Sequence, residues 1–331
     1  MELDIYYNLD YCKLYEKKNE KIEKFVYESE IGKILNIFLK RKIEILLDKE
    51  YYDITTPYGY GGPVILNLND ESKKEVLIQG YYEAFSKYCK ENDIVSEFIR
   101  FHPIYQNALD FAKVYNADFL RKTIGTNLKD YIDPVNSEFS KSAKREIKNA
   151  KKNNLVLEII ENPKNLDNFK KVYFETMKRN LADSFYYFDN SYFDNVIKFL
   201  SKDILLVQIL ENNEILASEL YFKAGKILHA HLLGVSQRGL ELNIGSLIEA
   251  TAAEYGKNKG YIYIHHGGGR SNDPEDGLFK YKKKFGKNTE FNFYIGKKIW
   301  NKEIYDKLVD KKEITDEDKK SNYFPLYRIK G

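Results

Sequence analysis

The order of elements around residues 235–269 constrains this chain more than any other feature. VSQRGLELNIGS at 235–246 closes an apolar stretch and leads into a helical segment, and YIYIHHGGG follows at 261–269. The pattern reads as strand, basic glycine turn, helix, strand, glycine turn. A turn of this kind presents free backbone N–H groups at a helix start, where the helix dipole adds partial positive charge. That combination holds phosphates. Gln237 and Arg238 supply further hydrogen-bond donors, and Gly239, Asn243, Gly245 and Ser246 complete the expected phosphate-binding turn. An ordinary hairpin-to-helix loop would carry the same pattern, so the neighbouring segments have to decide.

Residues 140–152 predict a helix with Ala143, Ile147 and Ala150 as a narrow apolar stripe. Lys141, Lys144, Arg145, Lys148, Lys151 and Lys152 crowd its remaining surface against Glu146. This is either a solvated face or a surface for an anionic ligand, with Arg145 as the candidate contact. A strand at 155–160 follows, then helices at 166–179 and 190–200, the second capped by Asp189. Strands at 204–210, 214–222 and 227–233 come next, joined by turns at Asn212-Asn213 and Ala224-Gly225. Strand, two helices, three antiparallel strands, phosphate-type turn, helix, strand, helix, strand is the order of an acyltransferase fold.

The first half repeats this more loosely. Residues 22–27 and 31–39 alternate as strands, and DITTPYGYGGP at 53–63 is too rich in glycine and proline for helix or central strand. A helix at 73–92 and a strand at 94–101 ending in RFHP follow. Tyr58 and Tyr60 in the glycine loop, with Arg100 and His102 in RFHP, are the candidates for lining an acceptor. The expectation is an α+β chain of two similar halves, a degenerate one at 1–135 and a complete one at 136–331.

Composition removes other classes. A net charge of +3, from 53 basic and 50 acidic residues, gives no global nucleic-acid bias. Two scattered cysteines, Cys12 and Cys89, fit neither a disulfide scaffold nor a zinc site. His229 and His231 alternate along a strand, as a metal pair or as a partly buried polar face, and no metal site is assigned. No apolar run reaches the length of a membrane span and no signal peptide is visible, so a cytoplasmic location is expected.

Several segments bear a family likeness. SAKREIKNA at 142–150 resembles a helix of the Fem-like transferases that build peptidoglycan cross-bridges. Tyr186, Tyr187 and Phe188, with Tyr192 and Phe193, resemble the aromatic positions after that family's second helix. Gly267, Gly268 and Gly269, then LFKYKKKFG at 278–286, resemble its glycine turn and its Leu-x-x-Phe-Lys-x-x-Phe-Gly tail, and RFHP resembles a first-domain segment. The resemblance is strongest over 136–286. It implies two tandem GNAT-like (N-acetyltransferase-like) domains, with mixed, mostly antiparallel sheets flanked by helices. It also implies transfer of an acyl or aminoacyl group to an amine or hydroxyl of a muropeptide, glycan or related precursor, with a CoA-dependent N-acetyltransferase on a small amine or nucleotide sugar, or a non-catalytic tRNA- or glycan-binding module, as the alternatives. The donor would be an acyl-CoA or an aminoacyl-tRNA, a substrate and not a tightly bound cofactor. tRNA is therefore a candidate partner, peripheral membrane contact stays open, and the oligomeric state is not legible. The chain departs from the pattern in carrying Tyr281 where the family has phenylalanine, in lacking a helical arm, and in a donor turn longer than Arg-x-x-Gly-x-Gly.

Aminolysis of an ester or thioester needs the carbonyl beside the nucleophile, donors for the developing oxyanion, and a route for the amine proton. Lys282 matches the family's lysine, and a cation there neutralises a phosphate or steadies the oxyanion. Tyr281 and Phe285 anchor its helix. His265 is a further catalytic candidate, since one of His265 and His266 is expected to face the site and the other the core. Asp276 is expected to cap the helix that carries Lys282.

Overall fold

A computed structural model describes residues 2–181 and 187–329. Tyr186 lies outside the described residues. The described residues form twelve strands: β1 (Glu20–Ser29), β2 (Gly32–Lys42), β3 (Tyr52–Thr55), β4 (Val64–Leu68), β5 (Ile94–Arg100), β6 (Asp118–Asn127), β7 (Leu155–Glu161), β8 (Ile204–Glu211), β9 (Glu214–Ala224), β10 (Ile227–Val235), β11 (Tyr263–Gly267) and β12 (Glu290–Ile299). The chain divides into two compact units, one of residues 1–14 and 122–291, the other of residues 15–121 and 292–331. A single cut at 135, as the local pattern suggests, does not describe this division. Both chain ends cross it because of long-range contacts that no local pattern carries. The first residues join the larger unit, where Asp4 meets His229 at 2.8 Å. The last strand, β12, pairs antiparallel with β5, and Ile304, Leu308 and Tyr327 pack with Ile43 and Val95.

In the smaller unit β1 and β2 form a long hairpin, β2 pairs antiparallel with β3 and β4, and β3 runs parallel to β5. The Lys74–Glu91 helix buries Leu77, Ile78, Tyr81, Phe85 and Cys89 against this sheet.

In the larger unit the strand order is β6-β11-β10-β9-β8-β7. β7 to β10 are antiparallel throughout, and the hairpin at Asn212 and Asn213 has φ of 52° and 65°, the left-handed values that two-residue turns require. The Gly245–Asn258 helix is almost wholly buried, with Leu247, Ile248, Ala250, Ala252 and Ala253 in the core beneath the sheet. Side-chain oxygens of Ser140, Asp189 and Asp276 cap the helices Lys141–Ala150, Asn190–Leu200 and Gly277–Lys283 by accepting backbone N–H groups. The segment 237–246 is not an open turn. Ser236 caps a short helix, Gln237–Glu241, and Asn243 at φ 52° reverses the chain into the Gly245–Asn258 helix.

One glycine shows how closely the layers approach. A Cβ on Gly234 in β10 would lie 2.5 Å from the Tyr173 nitrogen and 2.6 Å from the Val172 carbonyl carbon, both backbone atoms of the Asp167–Arg179 helix. Gly277, at the first position of its helix, has open space instead. We expect Gly234→Ala to lower unfolding free energy by about 1–3 kcal/mol, since the helix must shift to admit a methyl group. Gly277→Ala should stay within about 0.5 kcal/mol of the native protein. Urea denaturation of the two variants measures both effects.

Candidate active site

A cluster of ionisable groups sits inside the larger unit on the side covered by the Gly245–Asn258 helix. Glu219 and Tyr221 lie two residues apart on β9, so their side chains leave the same face. The helix turns Glu249 towards them. The Tyr221 hydroxyl is 2.6 Å from Glu219 Oε2 and 3.3 Å from Glu249 Oε2, and all three residues are buried. From β11, His266 places Nδ1 3.5 Å from the same Glu249 oxygen. From the Gly277–Lys283 helix, the Lys282 ammonium donates to the Gly268 carbonyl at 2.8 Å, within reach of the fields of Glu249, Glu219 and Asp276.

The hydrogen bonds assign the histidine tautomer. The Thr126 hydroxyl donates to the Phe285 carbonyl at 2.8 Å, so at its 2.8 Å contact with His266 Nε2 it must accept. His266 is therefore protonated on Nε2. Its Nδ1 has no hydrogen-bond partner among the described residues and turns a lone pair towards Glu249. Burial, with the Lys282 charge nearby, drives the His266 pKa down to about 3, so the ring is neutral. The His266–Glu249 contact is not an ion pair.

Burial shifts the other groups too. It raises Glu219 from 4.5 to about 7, against the lowering pull of Tyr221 and Lys282. Glu249 rises well above the carboxylate range, by burial first and then by the Glu219 charge. Burial lowers Lys282 from 10.5 to about 8, and the two glutamates oppose that fall. Burial thus favours the neutral form of all three groups.

The pairing between β10 and β11 ends beside this cluster. β10 and β11 are parallel neighbours, yet they pair only from Ile227 and Tyr263 to His229 and His265. β10 runs on to Val235 while β11 ends at Gly267, whose φ is 75°. Diverging carboxyl ends of parallel strands are where open α/β sheets take ligands. Lys282 and Gly268 stand at that end of β11.

The structure brings some of the expected residues here and leaves others elsewhere. Tyr281 packs over the start of the buried helix, where a Cβ on Gly245 would meet its hydroxyl at 2.7 Å. His265 is on the other face of β11 from Lys282, with Nε2 2.9 Å from Thr123 and its ring against His229. His266 occupies the site. At the helix start the Ser246 hydroxyl donates to Glu146 at 2.5 Å, and Lys284 closes an ion pair on the same carboxylate at 2.6 Å. A protein carboxylate thus stands where the local pattern suggests an anionic ligand. Arg238 is paired with Glu211 and Glu241, Gly239 lies against the Leu216 carbonyl, and Gln237, Asn243 and Arg145 are exposed.

In the smaller unit the 53–63 loop and RFHP lie together. Arg100 donates to the carbonyls of Thr56, Pro57 and Gly59, and Asn107 donates to those of Gly61 and Pro63. The Tyr60 ring meets His102 and Phe293, and Tyr58 stacks on Tyr15. Much of the Arg100 donor capacity goes into holding this loop.

Sequence reasoning missed Glu219, Tyr221 and Glu249. Their signal was present: a glutamate inside the apolar run ILASELYF, and another inside LIEATAA, are costly to bury without partners.

Residues 55–242 match the FemAB-like family, described by peptidoglycan biosynthesis and recognition. The fold is similar to that of FemX, with a TM-score of 0.67 at 14% identity over 90% of this chain and 92% of that one. It is also similar to the C-terminal domain of a putative lysylphosphatidylglycerol synthetase from Agrobacterium fabrum, with a TM-score of 0.55 at 12% identity over 90% and 88% of the two chains. The L-PGS of Bacillus licheniformis matches with a TM-score of 0.53 at 14% identity, over 84% and 85%. No curated protein sequence matches the chain.

The raised carboxyls make stability depend on pH. The folded state holds protons on Glu219 that the unfolded chain, titrating near 4.5, releases, so this contribution is complete below 4.5 and is lost as pH rises through about 7. Relative to a Glu219→Gln/Glu249→Gln double variant, the native protein should gain about 1–3 kcal/mol as pH is lowered from 7 towards 4.5. Denaturant midpoints of both proteins across that range test this, and a flat difference would refute it.

Proposed function

The chain belongs to the FemAB-like family of peptidoglycan biosynthesis and recognition, and from that premise we propose that it transfers an acyl or aminoacyl group from an activated donor to an amine or hydroxyl of a cell-envelope precursor. The observation that carries this reading is the desolvated Lys282 ammonium at the diverging ends of β10 and β11. When an amine attacks an ester or thioester carbonyl, the C–N bond forms as negative charge develops on oxygen. A preorganised cation in a water-poor site stabilises that charge strongly. As the C–O or C–S bond then breaks, the leaving atom needs a proton. A lysine that titrates near 8 is well matched to holding charge at neutral pH and supplying that proton.

The donor is an acyl-CoA or an aminoacyl-tRNA, which arrives as a substrate, and the reaction runs in the cytoplasm where both occur. The likeness to the C-terminal domain of a putative lysylphosphatidylglycerol synthetase, named for a product that carries a lysyl group, supports the aminoacyl donor. Among the described residues no helix is long and apolar enough to cross a membrane.

Thermal-shift measurements with CoA, acetyl-CoA and charged tRNA identify the donor, because a ligand that binds the folded state raises its apparent stability. With that donor, Lys282→Met should lower turnover by about 2–4 kcal/mol of barrier, while the melting temperature changes little. Lys283→Met removes a cation whose partner is the partly exposed Glu290, and turnover should barely change. Equal losses from the two variants would show that Lys282 is only part of a basic surface.

A further inference from the structure

The geometry around Tyr221 limits how many protons the two glutamates can hold. A phenol hydroxyl has one hydrogen. Here it faces two carboxyl groups, at 2.6 Å and 3.3 Å. It can donate to only one, and the shorter contact names Glu219 as acceptor. Glu249 Oε2 then faces two acceptors, the Tyr221 oxygen and the His266 Nδ1 lone pair at 3.5 Å. An ionised Glu249 would set its charge against both lone pairs in a buried site. A protonated Glu249 donates to either of them.

We infer that Glu219 and Glu249, bridged by Tyr221, are a carboxyl pair that keeps one proton and one negative charge, and that this pair is a positioning device that holds Lys282 as the ammonium. The inference rests on the reading of Lys282 as the acting cation. With Glu249 protonated, the chain of donors runs from Glu249 through the Tyr221 hydroxyl to ionised Glu219. The pair and Lys282 together are then neutral, which a buried site tolerates and an unpaired lysine charge does not. The remaining ionisable groups around Lys282 are neutral His266 on β11, Asp276 at the cap of its own helix, and Tyr281 beside it. Glu146 and Lys284 neutralise each other at the start of the buried helix.

A shared proton has a signature that two independent carboxylates lack. When one glutamate becomes glutamine, the other no longer faces a like charge and takes over the ionised role. The charge beside Lys282 is unchanged. Only loss of both removes it. The lysine titration can be followed in the intact protein by NMR of 13Cε-labelled lysine, with the Lys282 signal assigned by its absence in Lys282→Met. Glu219→Gln and Glu249→Gln should each leave the Lys282 midpoint within about half a pH unit of native, and the double variant should lower it by about one unit or more. A full shift from either single substitution, or none from the double, would overturn the inference. The native protein gives an independent reading if the double variant does not fold. With 13Cδ-labelled glutamate, one of the two carboxyls should remain protonated at about pH 8, above the ordinary carboxyl range, and both ionised there would overturn the inference. Neither measurement needs turnover. A failed titration therefore leaves the transferase reading standing, and a failed turnover assay leaves the titration standing.

Discussion

The larger unit depends on how it keeps charge inside a water-poor interior. Glu219, Glu249 and Lys282 come from a strand, a buried helix and a short capped helix, and each would be costly to bury alone. Together they set opposite charges within one another's fields, and Tyr221 bridges the two acids. Tyr221 orders the two acids, and Thr126 orders His266 by leaving it a single tautomer. The cluster ties β6, β9, β11 and two helices to one electrostatic arrangement. Movement of any of them would strand a charge.

The same economy appears at the start of the Gly245–Asn258 helix. Its positive dipole end and the Ser246 hydroxyl receive Glu146, and Lys284 balances that carboxylate. An acid supplied by the protein stabilises the helix permanently, where a bound phosphate would do so only when present. In the smaller unit the buried carboxyl of Glu97 accepts hydrogen bonds from Asn36 and the Trp300 indole and is raised to about 8 mainly by burial, while buried Asp53 is paired with Arg41 and Arg328. Polar groups there close on one another, consistent with a role in holding the sheet to the Lys74–Glu91 helix.

Much of the fold was legible because it is written locally. The Lys74–Glu91 and Asn190–Leu200 helices follow from periodicity, and the caps at Asp189 and Asp276 from short polar residues before apolar repeats. The β8–β9–β10 meander follows from β-rich runs punctuated by Asn-Asn and Ala-Gly. Lys282 was legible too, since its motif is contiguous. The helix at Gln237–Glu241 was not, because a glycine three residues past a serine cap reads as a turn until packing against Leu216 selects the helix.

The sequence by itself determined the α+β class, the order of the elements, their caps and the lysine motif, because neighbours a few residues apart decide each of these. Tertiary structure alone decided which acids meet that lysine. Glu219 and Glu249 are 30 residues apart and Lys282 lies 33 beyond, so only the packing of the helix onto β9 brings them together. It also decided that His266 and not His265 faces them, since which of two adjacent strand residues points to a given face depends on the register of β11 against β6 and β10. The affiliation of the two chain ends was decided in the same way, by the Asp4–His229 contact for the first and by pairing across more than 190 residues between β5 and β12 for the last, distances over which no local propensity acts.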